Sequence, residues 1–151
     1  MATVEYLFTD AGEFSDSKQI KNWNIPLTEK SFLLKWSGVI KAGVDLKRLN
    51  VDVNDSANKI ILTIPTAKIL SYETDNDSVE VIYEKDNIFN SISINDKVKF
   101  DTATKDAMKT RAIETGLLDK AQQNAEDILS RMVKSIAAVG DNYTIEFTVA
   151  K

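Results

Sequence analysis

The chain has 151 residues, with 19 basic and 23 acidic side chains, a formal net charge of -4, and neither Cys nor His. Without those two residue types there are no disulfides, thiolate nucleophiles, Cys-rich zinc or iron–sulfur sites, Ser-His-acid triads or zincin motifs. Any chemistry would fall to carboxylates, Lys, Tyr or a borrowed metal.

A content of 43% hydrophobic and 28% charged residues is that of an ordinary globular domain, so a single domain over residues 1–151 is expected, its core built by packing alone. Arg occurs only at Arg48, Arg111 and Arg131, and no basic stripe forms, which argues against a nucleic-acid partner. No apolar run approaches the roughly 18–20 residues that cross a bilayer. A cysteine-free chain suits oxidising and reducing surroundings alike, so composition leaves the compartment open.

Val4, Tyr6 and Phe8 begin a strand pattern almost at once, which leads us to expect a domain cut from a longer protein. Asp10 to Leu27 is long and polar, with Trp23, Ile25 and Pro26 embedded, and reads as a surface loop pinned by a few apolar residues. The clearest signal follows. From Ser31 to Val44, Phe32, Leu34, Trp36, Gly38, Ile40, Ala42 and Val44 hold one parity, which predicts a half-buried strand bent or bulged at Gly38 and Gly43. Further strands are predicted over Leu49 to Val53, Lys59 to Ile64 ending at Pro65, Lys68 to Glu73, Val79 to Glu84 and Tyr143 to Val149. Asn54-Asp55-Ser56 and Asp75-Asn76-Asp77-Ser78 are the turns expected between them.

Between the last two strands the period changes. Ser93-Ile94-Asn95-Asp96 has the form of a capping box, placing a helix start near Ile94. Met108, Ala112, Ile113, Leu117, Ala121, Ala125, Ile128, Leu129, Met132, Val133 and Ile136 then recur at three- and four-residue steps. Because this stripe stays in phase across Gly116, one long helix kinked there is preferred over two helices, with Gly140 ending it. The class expected is α+β: about six or seven mostly antiparallel strands, a long C-terminal amphipathic helix on one face, and a closing strand.

Several residues invite a chemical reading. Glu73, Asp75 and Asp77 offer the oxygen ligands that a hard cation takes, but they lack the glycine and distal Glu of an EF-hand and sit where a hairpin turn is expected. Asp45 at a strand end, paired with Glu73 or Asp75, would suit a two-carboxylate hydrolase; capping the Leu46-Lys47-Arg48-Leu49 turn is the simpler role. Trp23 is either a stacking surface or a seal over the core edge with Ile25 and Leu27, and Trp36 belongs to the core. The polar helix face of Lys120, Gln123, Glu126, Asp127, Arg131 and Lys134 is a solvated face or a protein contact, with Asp127 and Arg131 spaced to pair. There is no Ser-x-x-Lys context, Gly-rich phosphate loop or Walker sequence, so no cofactor is expected.

Ile25-Pro26-Leu27-Thr28-Glu29-Lys30-Ser31-Phe32, Gly38 through Leu46 with its Ala-Gly-Val-Asp-Leu element, Leu62 through Leu70, and Ala112 through Leu118 with Ala121 and Ala125 together resemble the bacterial family catalogued as domain of unknown function 4230. That family has no established activity, so the resemblance implies no catalytic, cofactor or metal residue. Its members often look membrane-tethered, which implies an anchored, extracytoplasmic domain. The expected function is a non-enzymatic module that binds a protein or small ligand, or self-associates, through a sheet edge or helix face. The alternatives are a carboxylate hydrolase using two of Asp45, Glu73, Asp75 and Asp77, or a membrane-associated scaffold.

Overall fold

The two side-chain rhythms of the sequence become two kinds of element. The computed structural model describes residues 2–24, 26–85, 91, 93–136 and 142–150. Its strands are β1 (Ala2–Asp16), β2 (Gln19–Ile20), β3 (Trp23–Asn24), β4 (Lys30–Val44), β5 (Asn50–Asn54), β6 (Lys59–Pro65), β7 (Lys68–Lys85) and β8 (Thr144–Ala150). Its helices are α1 (Ile94–Glu114) and α2 (Leu117–Lys134). Strands pair in the orders β1-β4-β7, β2-β3 and β5-β6-β8, an α+β arrangement. Two compact units arise. Leu7–Val39 with Tyr72–Arg111 forms one, here the aromatic unit; Met1–Tyr6, Ile40–Ser71 and Ala112–Lys151 form the other, the aliphatic unit.

In the aromatic unit the alternation of β4 aims Phe32 and Trp36 at a shared core, where they are 2% and 6% exposed. Phe32 stacks on Phe14 of β1 at 5.0 Å and meets Phe100 of α1 edge-on at 5.2 Å, while Trp36 meets Phe100 at 5.4 Å. Such offset and edge-on contacts suit the ring quadrupoles. Phe100 therefore anchors the first half of α1. The start of that helix is the predicted capping box: the Ser93 amide and hydroxyl donate to Asp96 Oδ2, each at 2.8 Å, and the Asp96 amide donates back to Ser93 Oγ at 3.3 Å. Sequence reasoning did not find the third partner of Asp96. Lys30 Nζ lies 2.6 Å from the same oxygen, and both side chains are 6% exposed. These donors hold the Asp96 carboxyl down at about 2, the Lys30 bond being the largest cause.

The aliphatic unit is built on β6, whose Ile60, Leu62 and Ile64 are buried on one face. The same unit contains the buried stripe of α2, Leu117, Ala121, Ala125 and Leu129, at steps of four. On the outer face Lys59 pairs with Glu146 at 2.7 Å and the Thr63 and Thr148 hydroxyls share a 2.9 Å hydrogen bond. β5 runs antiparallel to β6, as expected, but β8 runs parallel to it, from Lys59 opposite Thr144 to Pro65 opposite Ala150. The closing strand thus makes its sheet mixed. A parallel partner needs a long crossover, and the chain between β6 and β8 supplies one.

Three other expectations require correction. Asp10 to Leu27 is not a loop: β1 continues to Asp16, and β2 and β3 form a tight hairpin. Lys21 and Asn22 at its tip have φ of 49° and 65°, the paired positive angles of a type I′ turn. Ile25 lies outside the described residues. The string Asp75-Asn76-Asp77-Ser78 is not a turn either, for β7 runs through it unbroken. Last, the single long C-terminal helix is two helices between β7 and β8, divided at Gly116. The in-phase stripe concealed the break, but Gly116 has φ of 80°, its amide donates to the Ile113 carbonyl at 2.9 Å, and its own carbonyl accepts from Lys120 at 3.0 Å. Gly140, proposed as the helix terminator, lies outside the described residues.

Gly116→Ala tests this division. A Cβ there would meet only Asp119 Oδ2, at 4.0 Å, so the cost is conformational. We expect a loss of about 1–2 kcal/mol of unfolding free energy in a denaturant titration, with Gly116→Asn less costly. An unchanged midpoint for the alanine variant would contradict the left-handed geometry.

Candidate functional site

β7 has β4 as its strand neighbour on one side and, among the described residues, none on the other. Its C-terminal half carries Val79, Val81, Ile82 and Tyr83, each 44–55% exposed. An edge strand with that many uncovered apolar side chains is a template for another chain, and the edge has none of the proline that blunts such templates.

Beside this edge the aromatic unit is open. Phe100 brings α1 onto Phe32 and Trp36 of β4 and leaves a groove toward β7. Two cavities that share Leu34 and Val79, of about 350 and 130 Å³, form it. The larger is floored by Leu34, Trp36, Val79 and Phe100 and rimmed by Asn76, Asp101 and Thr104; the smaller adds Phe32, Val81 and Glu84. An apolar floor with a few polar groups at the margin is the usual make-up of a ligand cleft. The strand pattern of Val79 to Glu84 was legible in sequence. Its place at a sheet edge was not, since edge position depends on which strands pair.

The residues singled out by sequence fall in separate places. Asp45 caps the short turn Leu46–Arg48, its Oδ1 accepting from the Lys47 amide at 3.2 Å, and belongs to the aliphatic unit. Glu73, Asp75 and Asp77 belong to the aromatic unit. Glu73 and Asp75 line one cavity of about 470 Å³ with Phe8, Thr9, Ser37 and Gly38. Asp77 does not line it; its amide donates to Asp75 Oδ1 at 3.1 Å. Among the described residues no three acidic side chains gather as a metal site. Trp36 is core, as expected. Trp23 is described only through its backbone in β3, so its side-chain role lies outside the described residues. On α2, Arg131 Nε donates to the Asp127 carbonyl at 3.2 Å rather than to its carboxylate. No helix is long and apolar enough to cross a membrane, among the described residues.

The family model described as "Protein of unknown function (DUF4230)" matches residues 1–145, nearly the whole chain. The chain belongs to that family, in agreement with the resemblance of its strand and helix motifs. No curated protein and no solved structure matches it.

Proposed function

We propose that this family member is a non-enzymatic binding module that takes an extended, apolar segment of a partner protein along β7, with alternate side chains of that segment seated in the adjoining groove. The observation that carries the reading is the edge strand whose exposed valines, Val79 and Val81, also line the groove. In strand addition, main-chain hydrogen bonds to an open edge supply affinity, and pockets for alternate side chains supply specificity. We further propose that residues 1–151 act as one domain, displayed at or beyond a bacterial membrane by a longer, anchored protein. The continuity of β1, β4, β7 and α1, each of which contributes residues to both units, supports the first part. The resemblance to tethered family members supports the second.

The test is a titration of the chain with extended peptides alternating Val and Thr, read by backbone amide shifts and Trp fluorescence. Shifts are expected along Val79 to Glu84 and at Trp36. Replacing Val79 and Val81 by Lys should weaken binding by about tenfold or more, given the apolar area each valine would bury. Shifts confined to other elements, or indifferent to that substitution, would refute the proposal, and self-association along β7 would show as concentration-dependent shifts without peptide.

A second reading, the carboxylate hydrolase, is favoured by Glu73 and Asp75 lining one cavity. It requires turnover of a nitrophenyl ester or glycoside that is lost in Glu73→Gln. Absence of turnover across such a panel removes it.

A further inference from the structure

We infer that the aliphatic unit carries a binding site for a small monocarboxylate that also presents a hydrogen-bond donor, a hydroxy or amino acid. The site is a cavity of about 290 Å³ lined by Asp45, Arg48, Pro65, Thr66, Lys68 and Ala150. It lies where the parallel strands β6 and β8 end side by side, Pro65 opposite Ala150.

Its walls are held independently of any ligand. The Arg48 amide donates to the Asp45 carbonyl at 3.2 Å, which sets the turn that carries the guanidinium. The Ala67 amide donates to Gln122 Oε1 of α2 at 2.9 Å, which fixes the segment between Thr66 and Lys68.

The charges decide the ligand class. Lys30, Lys35, Lys59, Lys85 and Arg111 each sit within 4.0 Å of an acidic side chain. Arg48 and Lys68 are among the cations that have no such partner among the described residues, and these two line one cavity in a chain whose net charge is -4. Arg48 and Lys68 lining one cavity bring a guanidinium and an ammonium that suit a carboxylate, and Thr66 brings a hydroxyl as a neutral donor. Asp45 narrows the choice. Its Oδ1 accepts from the Lys47 amide, which leaves the other oxygen as an acceptor in the lining of the same cavity. That oxygen repels a dianion such as phosphate and accepts from a hydroxyl or ammonium placed next to a carboxylate. Two cations and one anion match a ligand of low net charge carrying both kinds of group.

The experiment is an amide-resolved NMR titration of the full chain at neutral pH with glycolate, acetate and inorganic phosphate in parallel. Glycolate should give saturable shifts at residues 46–48 and 66–68. It should bind about tenfold more tightly than acetate, the worth of one hydrogen bond to a charged group. Arg48→Gln with Lys68→Gln should abolish those shifts. Both side chains are exposed, so the rest of the spectrum should stay in place. Asp45→Asn keeps a capping acceptor and removes the charge, and should bring phosphate affinity up toward that of glycolate. Absence of saturable shifts with glycolate overturns the inference, as do shifts that persist in the double variant, or phosphate binding as tight as glycolate in the natural chain.

Discussion

Asp96→Asn is expected to lower the unfolding free energy by about 3–5 kcal/mol, as when a buried ion pair loses one partner. Asn keeps the shape and an acceptor for the Ser93 amide, so the helix cap survives in part. What it removes is the counter-charge of Lys30, which is 5% exposed and, among the described residues, has the Ser91 carbonyl at 3.2 Å as its other acceptor. Lys30→Met should cost less, because Asp96 retains the Ser93 amide and hydroxyl and the helix N-terminus favours its charge. Combining Lys30→Met with Asp96→Asn should recover much of the loss, which makes the pair a double-mutant cycle with a large coupling. Urea denaturation measures all four corners. A loss under about 1 kcal/mol for Asp96→Asn would mean that the pair behaves as an exposed one.

The same pair makes a pH prediction. The folded-state pKa of Asp96, about 2, lies below its ordinary value of 3.8. A carboxyl depressed in this way stabilises the fold fully above the unfolded-state value, and that contribution is lost as pH falls through the folded-state value. Stability should therefore decline between about pH 4 and pH 2 more steeply in the natural chain than in the Lys30→Met, Asp96→Asn double variant. Equal slopes would contradict the assignment.

Gly38→Ala is expected to destabilise by about 3 kcal/mol, at the upper end of overpacking costs. A Cβ at Gly38 would stand 2.4 Å from the Glu73 carbonyl oxygen and 2.7 Å from Phe8 Cζ. The first is backbone and cannot swing aside. Gly12→Ala is the control: its Cβ would meet ring atoms of Phe100 and Trp36 at 3.1 Å, which yield by small rotations, so a loss of about 1 kcal/mol is expected. Equal midpoints for the two variants in thermal unfolding would show that the Glu73 carbonyl does not press on Gly38. The geometry behind this contrast is a change of offset between β4 and β7. Lys35 meets Glu80 and the Ser37 amide donates to Ser78 Oγ, yet the next residue, Gly38, lies against Glu73. Neighbouring residues of β4 thus meet residues of β7 that lie well apart in sequence, Ser78 and Glu73. The bends or bulges expected at Gly38 and Gly43 fall within a strand that continues through both glycines.

That displacement illustrates how far the residues alone can be read. Asp, Asn and Ser cluster in turns because their side chains bond nearby backbone, and they do so here: the Asp77 amide donates to Asp75 Oδ1 and Ser78 Oγ donates to the Asp75 carbonyl at 2.6 Å. The local chemistry was legible. Whether it reverses the chain or lies within a continuing strand depended on β4 being the strand neighbour of β7. Gly116 is the converse case, where a helical stripe in phase on both sides hid a left-handed residue that the hydrogen bonds at Ile113 and Lys120 reveal.

Parity from Ser31 to Val44, the capping box at Ser93 and Asp96, the Asp45 cap and the α+β class were determined by neighbours within a few residues of one another, and local sequence suffices for such features. Pairing across long separations was decided only by the tertiary structure. It made β8 parallel to β6, left β7 at an edge beside an apolar groove, buried Lys30 against Asp96, and set Arg48 and Lys68 around one cavity. Each depends on which distant surfaces bury one another, a free energy summed over the whole chain that no short window of sequence contains.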